Sequence, residues 1–153
     1  MMKKTRFFAV VLLVLMSLCM AACKADNPLP EAAAITGDEE ISKAMEDAAT
    51  SDSRNRFTIT LSGNNLSKDF EVTSDYPWAK VWVQNQGEGN IQFTMTKGSN
   101  TGDVVEGSEV TVKAGTQMLI YATREWDPDT YYANFTCGTA ALKGSSVGCV
   151  ASG

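Results

Sequence analysis

Trp78, Lys80, Trp82 and Gln84 alternate with Ala79, Val81 and Val83. In a strand, side chains alternate between two faces. If the small aliphatic set faces a core, the two indoles, the ammonium and the amide face outward together. Trp78 and Trp82 then stand about 13 Å apart, at roughly 3.3 Å of rise per residue. A chain reversal centred near Gly87 pairs Val81 with Phe93. It thereby sets Trp82 beside Gln92, Lys80 beside Thr94 and Trp78 beside Thr96. Flat rings flanked by amides and hydroxyls suit the apolar faces and polar rims of sugar rings. Trp78, Lys80, Trp82, Gln84, Gln92 and Thr94 are therefore the candidate ligand-binding set. The competing expectation is that the stripe packs beneath another element, because indoles are mostly buried in folded proteins.

Carboxylates supply the other possible chemistry. Glu125, Asp127 and Asp129 surround Pro128 and offer oxygen atoms of the kind Ca²⁺ takes. No Asp-x-Asp-x-Asp-Gly loop accompanies them, and Asp and Pro are ordinary turn residues. A turn is expected there, with Asp127 and Asp129 the only metal candidates and no cofactor foreseen. Glycoside hydrolysis needs two carboxyl groups across a cleft. Glu106 with Glu109, or Asp127 with Asp129, would be the pairs, but their spacing sets neither across one. The chain contains no His, which removes the usual general base and metal ligand near neutral pH. It also removes Ser-His-Asp catalysis. No Gly-rich phosphate loop and no nucleophile elbow occurs. A protein that is not an enzyme is expected.

These residues need strands to position them. From Arg56 onward the apolar period is two: Phe57, Ile59 and Leu61, then Phe70 and Val72, then Ala79, Val81 and Val83. Ile91, Phe93 and Met95 follow, then Val110 and Val112, and the run Met118 to Ala122. Tyr131, Ala133, Phe135 and Cys137 share a face of the next strand, and Val147, Cys149 and Ala151 a face of the last. Turn formers separate the runs. About eight short strands without a helical interlude predict an all-β fold, an antiparallel β-sandwich over residues 55–153. Asp129-Thr130-Tyr131-Tyr132 resembles the tyrosine corner of immunoglobulin-like sandwiches, although Ala133 stands where those domains carry Cys. A sheet face with two exposed indoles is likewise similar to carbohydrate-binding sandwiches. Neither resemblance fixes function, since sandwiches host many.

Ahead of the strands, residues 23–54 lack aromatic side chains and carry Pro28, Pro30 and the acidic run Asp38-Glu39-Glu40. Little apolar area is available to offset ordering entropy, so the segment reads as a partly disordered tether. Within it, Ile41, Ala44, Met45 and Ala48 fall at helical spacing and predict a short helix over 38–49. At about twelve residues such a helix is marginal alone.

The first residues read as an address. Lys3, Lys4 and Arg6 precede an apolar run from Phe7 to Met20, followed by Ala21-Ala22-Cys23. A cationic start, a short apolar stretch and small residues before a cleavage point make a secretory signal over residues 1–22. The apolar run falls short of the about 20 residues that span a bilayer. The ending resembles the lipobox of bacterial lipoproteins, which implies cleavage before Cys23, acylation of its thiol, and a membrane partner reached through that anchor. Cys19 leaves with the signal. Cys137 and Cys149 remain in an oxidising compartment, and no simple register brings their Cα atoms within the about 7 Å a disulfide needs. Two buried thiols are expected.

Charge narrows the partners. Of 13 basic residues three lie in the signal, leaving 10 against 18 acidic groups, a net of −8. Such a surface repels phosphate backbones, so no nucleic-acid partner is expected. The sequence thus points to a lipid-anchored bacterial envelope protein, outside the cytoplasm, presenting a non-catalytic sandwich that binds a surface ligand such as a glycan. The alternative is a structural or protein-interaction domain that meets an envelope protein. A carboxylate-based glycoside hydrolase lies further off.

Overall fold

A computed structural model describes residues 29–153. The signal segment and the acylation site Cys23 lie outside the described residues. Two antiparallel sheets pack face to face, an all-β sandwich as the alternating pattern requires. Strand β1 covers Ala32–Ile35 and is followed by helix α1, Asp38–Thr50. Then come β2 Ser53–Leu61, β3 Asn65–Val72, β4 Trp78–Asn85, β5 Ile91–Lys97 and β6 Asp103–Val104. The last four strands are β7 Val110–Val112, β8 Gln117–Ala122, β9 Asp129–Thr136 and β10 Gly144–Ala151.

The first sheet runs β1-β8-β4-β10-β2 and the second β3-β9-β5-β6, with β7 also on β5. Most consecutive long strands therefore lie in opposite sheets. This connectivity is that of a double-sheet jelly roll rather than of an immunoglobulin domain. The tyrosine corner is nonetheless present in geometry, because the Tyr131 hydroxyl donates to the Asp127 carbonyl at 3.1 Å.

The alternating apolar residues fill the space between sheets. Val81, Val83, Ile91, Met95, Ala133 and Val150 are wholly buried. Aromatic rings join the layers: Phe57 meets Phe70 at 5.9 Å between centroids, and Trp126 lies 4.8 Å from Tyr131. Phe93 and Phe135 are cross-strand partners meeting edge-on at 5.2 Å.

Two expectations change. The reversal at Gly87 is not a hairpin: β4 pairs with β8 and β10, whereas β5 pairs with β9, β6 and β7. The buried Asn85 explains the crossing. Its Nδ2 donates to the carbonyls of Gly89 and Val112, and its Oδ1 accepts from Gly87 N–H. That network bends the short loop from one sheet to the other, a gap of about 10 Å.

The second concerns the acidic segment, which is folded from Ala32 onward. Ala32–Ile35 pairs with β8 in the register Ala32↔Ala122 to Ile35↔Leu119. Helix α1 then buries Ile41 and Ala48 and half-buries Ala44 and Met45. It touches β8 and β2, so it passes over the outer faces of β4 and β10, which lie between them. Three strand spacings make about 14 Å, and 13 residues of helix make about 20 Å. A marginal helix is thus held by tertiary packing on its apolar face, and small alanines suffice where the backbone ladder carries the strand.

Candidate functional site

Trp78, Lys80, Trp82 and Gln84 do share the outward face of β4, each half-buried, opposite the buried Ala79, Val81, Val83 and Asn85. Their neighbours differ from those expected. Trp82 stands between Leu119 and Val147, Lys80 between Tyr121 and Cys149, Gln84 between Gln117 and Ser145, and Trp78 beside Ala151. The Trp82 indole N–H donates to Gln117 Oε1 at 2.8 Å, and Gln117 Nε2 donates to Asp38 Oδ1 of α1 at 2.8 Å. Leu119 beside it is buried, yet lies outside the central core cluster. With Ile41 and Ala48 it forms a thin second layer between helix and sheet. The stripe therefore faces outward with each member half-buried, and Trp82 is tied through Gln117 to the helix, which joins the two readings that the sequence set against each other.

Gln92 and Thr94 are elsewhere, on the outward face of β5 in the second sheet. The sandwich separates them from the two indoles. Their cross-strand partners are Thr136 and Asn134 of β9, and those residues pair in turn with Asn65 and Ser67 of β3. Two polar rows result: Asn65, Thr136 and Gln92, and beside it Ser67, Asn134 and Thr94. Ser67 Oγ donates to Asn134 Oδ1 at 2.7 Å, and Asn134 Nδ2 to Thr96 Oγ1 at 3.0 Å. Thr111 Oγ1 donates to Gln92 Oε1 at 2.8 Å. The six residues of the two rows line a shallow groove of about 400 Å³ with Leu66, Asn100 and Phe135, and no lining side chain is charged. Asn65, Ser67, Asn134 and Thr136 were missed because β5 was expected beside β4. A usable signal existed in Thr130, Tyr132, Asn134 and Thr136, which alternate with the apolar Tyr131, Ala133 and Phe135.

Asp127 and Asp129 do not converge. Asp127 takes Lys97 Nζ at 3.2 Å, and Asp129 Oδ1 accepts from Thr130 N–H. The Asp127 bond holds the Lys97 pKa above its ordinary value. No cluster of three or more His, Cys, Asp or Glu that could hold a metal occurs among the described residues. A second cleft, of about 320 Å³, lies here over Trp126 and Tyr131. Its Lys97 is paired with Asp127, and its Arg124 with Glu31.

Cys137 and Cys149 are free thiols. Cys137 follows β9 and is buried, whereas Cys149 lies on the outward face of β10. The core-facing set of β10 is Ser146, Gly148 and Val150, not the more apolar Val147, Cys149 and Ala151. Gly148 is required there, since a Cβ would come within 2.2 Å of the Phe57 ring. Ser146 is tolerated because its hydroxyl donates to the Trp82 carbonyl at 2.7 Å. Burial raises the Cys149 pKa, and Lys80 offsets this in part.

No family model and no curated protein matches the chain. Among solved structures it is similar to a Bacillus endospore appendage from a family of disulfide-linked pili, at 15% identity and a TM-score of 0.39, over 65% of this chain and 90% of that one. It is also similar to PirA, at 13% identity and a TM-score of 0.40, over 66% and 94% of the two chains. RmlC from Streptococcus suis matches at 13% identity and a TM-score of 0.37, over 76% of this chain and 54% of that one. Likenesses this distant carry no functional argument, and the fold stands on the two sheets described above.

Proposed function

We propose that the chain is a non-catalytic domain of a bacterial envelope, held on the extracytoplasmic side of a membrane by acyl chains on Cys23, where it binds a glycan. The observation that carries this reading is which sheet face is open. The N-terminal strand and helix are folded onto the first sheet, and the outward side of the second sheet carries an uncharged polar groove. The lipobox-type ending at Cys23 and the acidic mature chain support the anchor and the exclusion of polyanions. From Cys23 to Ala32 the chain has nine steps, and at 3.3–3.6 Å each it reaches no more than about 30 Å. The anchored domain would thus sit close against its membrane.

A protein partner is the second reading. The specific feature in its favour is β3, an eight-residue strand that among the described residues lies at the edge of the second sheet and pairs only with β9. Such an edge can accept a strand from another chain.

Metabolic labelling with a fatty-acid analogue, followed by detergent partitioning, tests the anchor. Labelling of the wild type and none of Cys23→Ala is expected. Equal labelling of both would remove the lipoprotein reading while leaving the domain's binding role open.

A further inference from the structure

The open face has a finer property than polarity. Among its lining side chains Asn65, Ser67, Gln92, Thr94, Asn134 and Thr136 come from three adjacent strands in register. Strands lie about 4.8 Å apart, and same-face residues about 6.6 Å apart along each strand. The face is therefore a small grid of amides and hydroxyls. Each amide both donates and accepts, and each hydroxyl does the same. Charge enters beyond the groove, at Asp69 and Glu71 on the outward side of β3, with Lys68 Nζ 3.5 Å from the Asp69 carboxylate. The volume of about 400 Å³ falls within the usual range for ligand sites, roughly 300–1,000 Å³.

The geometry points to an uncharged glycan chain as the ligand of this groove, lying across β3, β9 and β5 and held by hydrogen bonds to Gln92, Thr94, Asn134, Ser67 and their row partners. This rests on the glycan-binding reading above and moves its site from the indole stripe to the opposite sheet. An extended polyhydroxylic chain offers donors and acceptors at short, regular intervals, which is what the grid can match. An acidic polymer finds no counter-charge in the lining and an acidic protein around it. A protein partner relies on aromatic or Arg anchors filling pockets. The groove offers none of these: Phe135 is only 2% exposed, and Leu66 packs against the core. Tyr132 precedes Asn134 by two residues on the outward side of β9 and adds an aromatic surface alongside.

Affinity electrophoresis of the Cys23→Ala chain, freed of its signal, tests the assignment in gels holding a neutral glucan, a neutral mannan or a polyuronate. Thr94→Glu places a charge in the groove at a half-buried position of β5; a thermal melt confirms that the variant stays folded. Lys80→Ala serves as the control on the first sheet. The expected result is retardation by at least one neutral polymer and not by the polyuronate, weakened at least tenfold in Thr94→Glu and unchanged in Lys80→Ala. Retardation that survives Thr94→Glu but is lost in Lys80→Ala would overturn the groove and keep glycan binding on the stripe. Equal retardation by the polyuronate would overturn the uncharged class. No retardation in any gel would overturn glycan binding altogether, and this site with it.

Discussion

Trp82 is held at both ends, by core-facing neighbours on its strand and by the hydrogen-bond relay through Gln117 to Asp38. Truncating a fully buried Trp costs about 3–5 kcal/mol. Half-burial should leave about 2 kcal/mol for Trp82→Ala, a melt lowered by roughly 8 °C in a domain of this size. A shift of under a degree would mean the ring stands free in water. Gly148 makes the opposite test, because its missing side chain is what admits Phe57. Gly148→Ala should cost about 1–3 kcal/mol through overpacking, read as a lower denaturant midpoint at unchanged slope. Tolerance of the alanine would show that the Phe57 ring can move aside.

Among the elements, α1 is the least secured. It has no side-chain cap at Gly37, and its acidic first turn, Asp38, Glu39 and Glu40, suits the positive end of the helix dipole. Its hold on the sheet is the layer of Ile41, Ala48 and Leu119 together with the bond from Gln117 to Asp38. Ile41→Asp places a charge in that layer and should release the helix while the central core stays assembled. Limited proteolysis should then cut within 38–50 long before any strand, and tryptophan emission should shift to the red as Trp82 meets water. Unchanged protection of the helix would show that β1 and β2 at its two ends suffice to hold it.

At the scale of the molecule, three groups respond to alkaline pH in one direction. Cys149 and Tyr131 are held neutral by burial, their pKa values raised above the ordinary 9.0 and 10.0. The unfolded chain loses these protons first, so stability falls as pH climbs above 9.0 and continues to fall until the folded groups ionise. Lys97, raised above 10.5 chiefly by its bond to Asp127, contributes stability below that value which is lost above its folded pKa. Thermal midpoints should therefore decline as pH rises beyond about 9. Cys149→Ser should move the onset toward 10.0, where Tyr131 begins. A flat profile through both values would contradict the burial of these groups. Much of this whole was legible in the chain. The period of two gave the all-β class and nearly every core position, because in a strand the side-chain direction follows from sequence parity alone. The spacing of Ile41, Ala44, Met45 and Ala48 gave the helix and its inner face for the same local reason. Which strand lies beside which is not local. Asn85, a single buried amide, braces a crossing between sheets where a hairpin is expected, and that crossing parts Gln92 and Thr94 from Trp78 and Trp82. The outward set of β10 looks like core in the sequence because a residue's apolar character does not say which of two layers covers it. Only the docked helix decides that for Cys149, just as only the packing of Phe57 explains the glycine beside it. Sequence parity fixed the face of each side chain; the tertiary structure decided what that face would meet.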